Sequence, residues 1–343
     1  MRAAVCAGYG PPEVIHVEEV GRPAPLATEV LIRVRAASVN PLDAGTLSGR
    51  PYLLRLLTGL RRPRSARPGV DVAGVVEAVG ESVTRFRPGD EVFGVCVSDP
   101  HASGVGVWNH RQGAFAEYVC APQSTLTAKP PNISFEQAAA VPVAAFTALQ
   151  GLRDKGHVQP GERVLVNGAA GGVGMFAVQI AKSLGAEVTG VCSTRNLEMV
   201  QSIGADHVID YTQVDFTRGG PRYDLIFDCV GNHSLSATRR ALAPSGVCIG
   251  AGDLTGRGML RLVARMIAGQ ITSRFVSRRV ITFLARPDGR DLDTMARLMA
   301  TGKVTAVIDR CYGLNEVPQA IRFLGGKHAR GKVVIAMEGP APA

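Results

Sequence analysis

The stretch Val164-Leu-Val-Asn-Gly-Ala-Ala-Gly-Gly-Val-Gly174 decides how the rest of the chain is read. A short apolar strand runs straight into a glycine-rich turn, and the turn opens an amphipathic helix predicted over residues 173–184. In the pattern G-x-G-x-x-G, Ala169 takes the first glycine slot, Gly171 the second and Gly174 the third. The slots have separate physical tasks: a tight turn, a residue without Cβ where backbone approaches a pyrophosphate, and close packing of helix on strand. Amides at the helix start, including those of Gly172 and Val173, can then hold phosphates. A lone glycine pattern is weak, but here strand, turn, helix and second strand all fall at the expected spacing.

Working outward, strands predicted at 163–167, 187–191, 207–209, 225–229 and 247–250 alternate with helical segments such as 196–203. Strands separated by single helices run parallel, which gives a doubly wound sheet. Upstream, residues 1–127 read as short β-branched strands (30–34, 72–79, 91–95) punctuated by turns such as Arg87-Pro-Gly-Asp90. Residues 53–67 read as a short basic amphipathic helix and a loop, and Ser134 with Gln137 forms a capping-box pattern. The tail is predicted to hold helices at 292–300 and 317–324 and a strand at 332–335. Residues 253–280 alternate basic and apolar and fit no element well.

The residue after the second strand of such a fold selects the coenzyme, and NAD enzymes place Asp or Glu there for the ribose hydroxyls. Here the chain reads Cys192-Ser-Thr-Arg195, with no acid between Val188 and Leu197. Ser193 and Arg195 offer a hydroxyl donor and a cation, which suit a 2′-phosphate and hence NADPH.

Composition narrows the class. A chain of 343 residues exceeds one ordinary core, so two domains are expected. The seven Cys are scattered without a CxxC pair, as free thiols are in a reducing compartment. The apolar start is too short for a signal peptide, and the longest apolar stretch, 138–149, is broken by Pro142. A cytoplasmic protein without membrane insertion is therefore expected. The net charge of +9 is read as a basic surface and a phosphate-rich cofactor; the Arg-rich segments 61–67 and 257–279 lack the interleaved aromatics of a nucleic-acid surface.

With that turn behind a β-rich first domain, the chain resembles the medium-chain dehydrogenase/reductase superfamily. The likeness is strongest to its zinc-free quinone oxidoreductase branch, which includes zeta-crystallin and the reticulon-4-interacting oxidoreductases. The motifs that carry it are Ser38-Val-Asn-Pro-Leu-Asp43, Gly69-Val-Asp-Val-Ala-Gly74, Gly113-Ala-Phe-Ala-Glu-Tyr118, Ala170-Gly-Gly-Val-Gly174, Val208-Ile-Asp-Tyr211 and His328-Ala-Arg-Gly-Lys332. The resemblance implies an α/β protein with a GroES-like β-rich catalytic domain (1–127 and 286–343) around a doubly wound Rossmann NADPH-binding domain (128–285), assembled as a homodimer. It implies that Ala170, Gly172, Val173, Ser193, Tyr211 and Cys229 line the cofactor, with His328, Ala329 and Arg330 closing over it and Phe283 a looser correspondence.

Zinc members of the superfamily need Cys where this chain has Asn40 and His where it has Val70, and residues 95–112, where a four-Cys lobe would stand, hold a single Cys. No metal is expected. Simple ketone reduction relies on a Lewis acid, so without one the acceptor must spread the charge itself, as quinones and α,β-unsaturated carbonyls do. Asn40 is the candidate polar contact to substrate carbonyl or nicotinamide ribose, and Asp43 is read as organising its loop. Tyr52 stands near, though one residue off, the tyrosine proton donor of related enoyl reductases. Two other readings are an enoyl-thioester reductase and a non-enzymatic NADPH-binding protein of crystallin-like or nucleic-acid-binding role.

Overall fold

The computed structural model describes residues 1–49, 55, 59–63, 66–97, 113–251, 278–326 and 329–338. The expected helix and loop over 53–67 lie partly outside them, and the lobe after residue 97, most of 253–280, Tyr52 and His328 lie outside them. Two units divide the chain: Met1–Phe146 with Arg286–Gly302 and Ala306–Ala343, and Thr147–Ala285 with Lys303–Thr305.

The first unit begins with β1 (Arg2–Cys6) and β2 (Ile15–Glu19), an antiparallel pair, followed by the long β3 (Glu29–Val39) and the helix α1 (Pro41–Ser48). Then come β4 (Asp71–Val79), β5 (Glu91–Val95), β6 (Tyr118–Pro122), β7 (Leu126–Ala128) and the helix α2 (Phe135–Ala139). Asp43 reaches back from the first turn of α1 to the Asn40 amide at 2.7 Å, and Ser134 and Gln137 cap α2 reciprocally. Because α2 packs on β3, β4 and β5, the first unit runs past residue 127, where the sequence reading placed the boundary.

The helix α3 (Pro142–Leu149) leads into the second unit. There β8 (Arg163–Asn167), α4 (Gly172–Ser183), β9 (Glu187–Cys192), α5 (Leu197–Ser202) and β10 (His207–Asp210) precede β11 (Tyr223–Asp228), α6 (Leu235–Ala241), β12 (Leu242–Gly250) and β13 (Arg279–Thr282). All six strands are parallel, in the order β10-β9-β8-β11-β12-β13. The chain winds outward from β8 to β10 and then returns to the other side of β8. That reversal is the switch point at which open α/β sheets bind ligands beyond their carboxyl ends. Among the described residues of this sheet the ladder is irregular in β12, where Tyr223 pairs with Leu242 but Leu225 with Val247, so Ala243-Pro-Ser-Gly246 bulges from it.

The tail returns to the first unit with α7 (Gly289–Ala300), β14 (Ile308–Gly313), α8 (Val317–Gly325) and β15 (Lys332–Ala336). Its sheet runs β14-β15-β3-β4-β5-β7, with β6 also on β3, over a core including Ile32, Val72, Val92, Phe115 and Leu126.

Candidate functional site

The phosphate turn is built as the sequence spacing requires, with one displacement. The positive φ of the tight turn falls on Gly168 (+86°), one residue ahead of the first glycine slot. Ala169 is thereby released from that duty, and its methyl points at Gly190 of β9, where an added Cβ would lie 3.2 Å away. Gly174 is indispensable for packing, since a Cβ there would meet the Gly168 carbonyl oxygen at 2.1 Å. At Gly171 a Cβ would meet nothing nearer than that same oxygen, at 3.4 Å. The second slot therefore opens onto free space in front of the helix start, and that cradle fits a dinucleotide pyrophosphate.

Around this turn the fold gathers most of the expected cofactor residues at the carboxyl ends of neighbouring strands. Ala170, Gly171, Gly172 and Val173 follow β8, Ser193 and Arg195 follow β9, Tyr211 follows β10, and Cys229 follows β11. Tyr211 is exposed, its amide held by the Cys192 carbonyl at 3.0 Å. The loop carrying Cys229 is fastened by Asp228, whose Oδ1 accepts from Asn167 Nδ2 at 2.9 Å and from the amides of Val230 and Gly231. Phe283, half-buried just past β13, lies close to Gly151 beside Phe227.

Sequence spacing did not reveal that an acid stands beside Ser193 after all. Asp210 pairs in register with Cys192, one strand over, and its carboxylate accepts from Thr194 Oγ1 at 2.5 Å and from Thr212 Oγ1 and N at 2.7 and 2.9 Å. These hydrogen bonds, that of Thr194 foremost, hold its carboxyl below the usual carboxylate range.

A second cluster lies in the first unit, and strand register creates it. Ser38 on β3 pairs with Asp71 on β4, and Val39 pairs with Val333 on β15, which brings Lys332 beside Asn40. Asp71 and Lys332 are 0% and 4% exposed. Asp71 Oδ2 accepts from Ser38 Oγ at 2.7 Å and Asn40 Nδ2 at 2.9 Å, and Lys332 Nζ stands at 3.5 Å. Its Oδ1 accepts from the Val143 amide at 3.1 Å. Lys332 Nζ also donates to Asn40 Oδ1 at 2.7 Å. Asp43 accepts from the amides of Asn40 and Gly69 at 2.7 and 3.1 Å. Burial, opposed by the Asn40 amide and reinforced by the Asp71 charge, pushes the Asp43 carboxyl up to about 7. Burial likewise lowers the Lys332 pKa against the pull of Asp71.

Lys332 and Asp71 carry no role in the sequence reading, although the signal existed: each is a charge that opens a strand and runs into an apolar stretch. Asn40 is buried, with Oδ1 taken by Lys332 and one Nδ2 hydrogen by Asp71. The protein acceptor for the other is the Ser38 carbonyl at 3.5 Å. Ala329 and Arg330 open the return to β15, with the Arg330 amide on Asp309 at 2.7 Å.

The residues in the zinc-ligand positions do not fit a metal. Val70 is a buried hydrocarbon, Asn40 is tied into the cluster, and an ammonium occupies its centre. Among the described residues no three His, Cys, Asp or Glu side chains converge elsewhere, and no helix is long and apolar enough to cross a membrane.

A parallel sheet with a pyrophosphate turn at its switch point, joined to a GroES-like unit, defines a nicotinamide-nucleotide oxidoreductase. Comparison with known proteins agrees. Residues 26–131 match the family described as alcohol dehydrogenase GroES-like domain, and residues 203–335 the family described as zinc-binding dehydrogenase. The chain is 33% identical over 347 residues to the chloroplastic quinone-oxidoreductase homolog of Spinacia oleracea, covering 98% of both proteins. It is 33% identical over 340 residues to the chloroplastic NADPH-dependent alkenal/one oxidoreductase of Arabidopsis thaliana, covering 98% of this chain and 79% of that one. The solved structure of the quinone oxidoreductase from Coxiella burnetii superposes with a TM-score of 0.82 at 30% identity, covering 98% of this chain and 99% of that one. This chain belongs to the medium-chain dehydrogenase/reductase superfamily, in its quinone oxidoreductase-like branch.

Proposed function

We propose that this oxidoreductase reduces a quinone or an α,β-unsaturated carbonyl with NADPH and without a metal. The observation that carries the proposal is the Asn40 amide, held by Lys332 and Asp71 where zinc relatives place a metal ligand. When bound, the dihydronicotinamide supplies a hydride. The residues of the chain supply orientation and an environment poor in water. Lys332 and Asp71 fix the Asn40 side chain, and the long 3.5 Å contact of its Nδ2 with the Ser38 carbonyl is the one that a substrate carbonyl would replace. A single neutral hydrogen bond stabilises developing charge far less than a Lewis acid does, so the acceptor must delocalise that charge itself. Quinones and enones do so, and plain ketones do not. The names of the spinach, Arabidopsis and Coxiella proteins support this substrate class.

At the adenosine end, Ser193 and Arg195 receive the 2′-phosphate, and the pyrophosphate sits on Gly171–Val173. We further propose a cytoplasmic homodimer; some relatives are chloroplastic. The test follows NADPH and NADH oxidation in parallel with a quinone, a simple enone and a plain ketone after exhaustive chelation. NADPH turnover on quinone or enone but not ketone is expected. Ketone reduction abolished by chelation would overturn the metal-free reading.

A further inference from the structure

The coenzyme end of the second unit carries two neighbouring hydroxyls of opposite hydrogen-bonding polarity. Asn196, buried at 7% exposure, donates from Nδ2 to Ser193 Oγ at 3.2 Å, and its Oδ1 has no partner among the described residues. A hydroxyl has one proton and two lone pairs. Because Asn196 occupies a lone pair of Ser193, the Ser193 proton stays available for an acceptor. The flipped amide would take that proton and leave a buried N–H pair unsatisfied, a rarer condition than an unsatisfied carbonyl. Thr194 is arranged the other way. Its proton is committed to Asp210, so toward a ligand it offers lone pairs only.

These polarities select between the two nicotinamide coenzymes. A 2′-phosphate offers acceptor oxygens alone, so it matches Ser193 and is opposed by Thr194 and the Asp210 charge. A free ribose 2′-hydroxyl can donate, so it matches Thr194 and Asp210. Asp210 ends the third strand opposite Cys192, beside the loop after the second strand where NAD enzymes carry their acid. Its carboxylate is engaged by Thr194, Thr212 and, at 3.5 Å, Gln213.

We propose that Asn196 is a positioning residue for coenzyme choice: it fixes Ser193 as a donor to the 2′-phosphate, while Asp210 and Thr194 form the opposing, NADH-favouring half of the selector. The inference rests on the NADPH reading above. It also accounts for a buried amide that keeps an unsatisfied carbonyl, which costs stability and calls for a compensating role.

The test uses calorimetric binding of 2′,5′-ADP and 5′-AMP to the intact protein, so that no turnover is involved. Wild type is expected to prefer 2′,5′-ADP; equal affinity for the two would refute the NADPH reading itself. Given that preference, Asn196→Ala should reduce it by about fivefold to tenfold, the worth of one oriented hydrogen bond to an anion, with 5′-AMP affinity unchanged. In a Ser193→Ala background, Asn196→Ala should have no further effect. Asp210→Asn, an independent measurement in a different strand, should raise the preference. A preserved wild-type preference in Asn196→Ala, or an equal loss with and without the Ser193 hydroxyl, would overturn the role of Asn196. A preference unchanged or lowered in Asp210→Asn would overturn the opposing half.

Discussion

Replacing Lys332 with Met removes the cation that faces Asp71 and Asn40 in the buried cluster of the first unit. The consequences can be counted from the structure. Asn40 Oδ1 loses its donor at 2.7 Å, and the Asp71 carboxylate, 0% exposed, loses its counter-charge at 3.5 Å. Breaking a buried ion pair from one side typically costs about 3–5 kcal/mol. Asp71 keeps Ser38 Oγ, Asn40 Nδ2 and the Val143 amide, which moves the expectation to the lower part of that range. The double variant Lys332→Met/Asp71→Asn removes both charges and leaves only weakened hydrogen bonds, a cost of about 1–2 kcal/mol. The two substitutions should therefore be non-additive by at least about 2 kcal/mol. Urea unfolding of wild type, both single variants and the double variant, followed by circular dichroism, measures all four corners of the cycle. A Lys332→Met cost below about 1 kcal/mol, or simple additivity, would refute the reasoning, because the charges would then not depend on one another.

Further expectations concern the turn and the pH dependence. Gly171→Ala should fold normally, since its Cβ meets only the Gly168 oxygen at 3.4 Å, yet lose dinucleotide affinity in a calorimetric titration. Gly174→Ala, with a Cβ 2.1 Å from that oxygen, should be destabilised outright in a thermal melt. Arg195→Ala should raise the Kd for NADPH by about tenfold and leave that for NADH unchanged, as read by coenzyme fluorescence. Burial pushes the Asp43 carboxyl up to about 7 in the folded protein, above the ordinary aspartate value of about 3.8, so between those values the folded protein holds a proton that the unfolded chain releases. The stability of wild type relative to Asp43→Asn should therefore fall as pH rises from 4 to about 7 and level off above, by a few kcal/mol in all; a difference that grows with pH would refute the assignment.

The second unit was the more legible half, for a local reason. Its strands and helices follow one another along the chain, so each predicted segment from 163–167 to 247–250 has an observed counterpart from β8 to β12. The turn was legible because its glycines answer to contacts within a few residues, although the release of Ala169 by Gly168 became visible only with φ in hand. The buried cluster was not legible, because Asn40, Asp71 and Lys332 meet through antiparallel register between β3, β4 and β15. No local pattern reports such register. Asp210 was missed for the same reason: it is 17 residues beyond Ser193 in the chain but lies beside Thr194 across a parallel pair.

The placement of Lys332 also bears on how the molecule is made. Asp71 and Lys332 are 261 positions apart, with the complete second unit translated between them. A nascent chain emerging N-terminal end first has β3 and β4 in hand while the ammonium that neutralises Asp71 is still unmade. The parallel sheet of the second unit requires nothing after residue 305 and can close first. The β-rich unit, whose middle strand is flanked by one of the last strands synthesised, must wait with an uncompensated carboxylate and an open edge on β3. Ribosome-bound chains truncated before residue 332 should therefore show a protease-resistant second unit and a cleavable first one, which makes release from the ribosome the step that admits the protein to its final form.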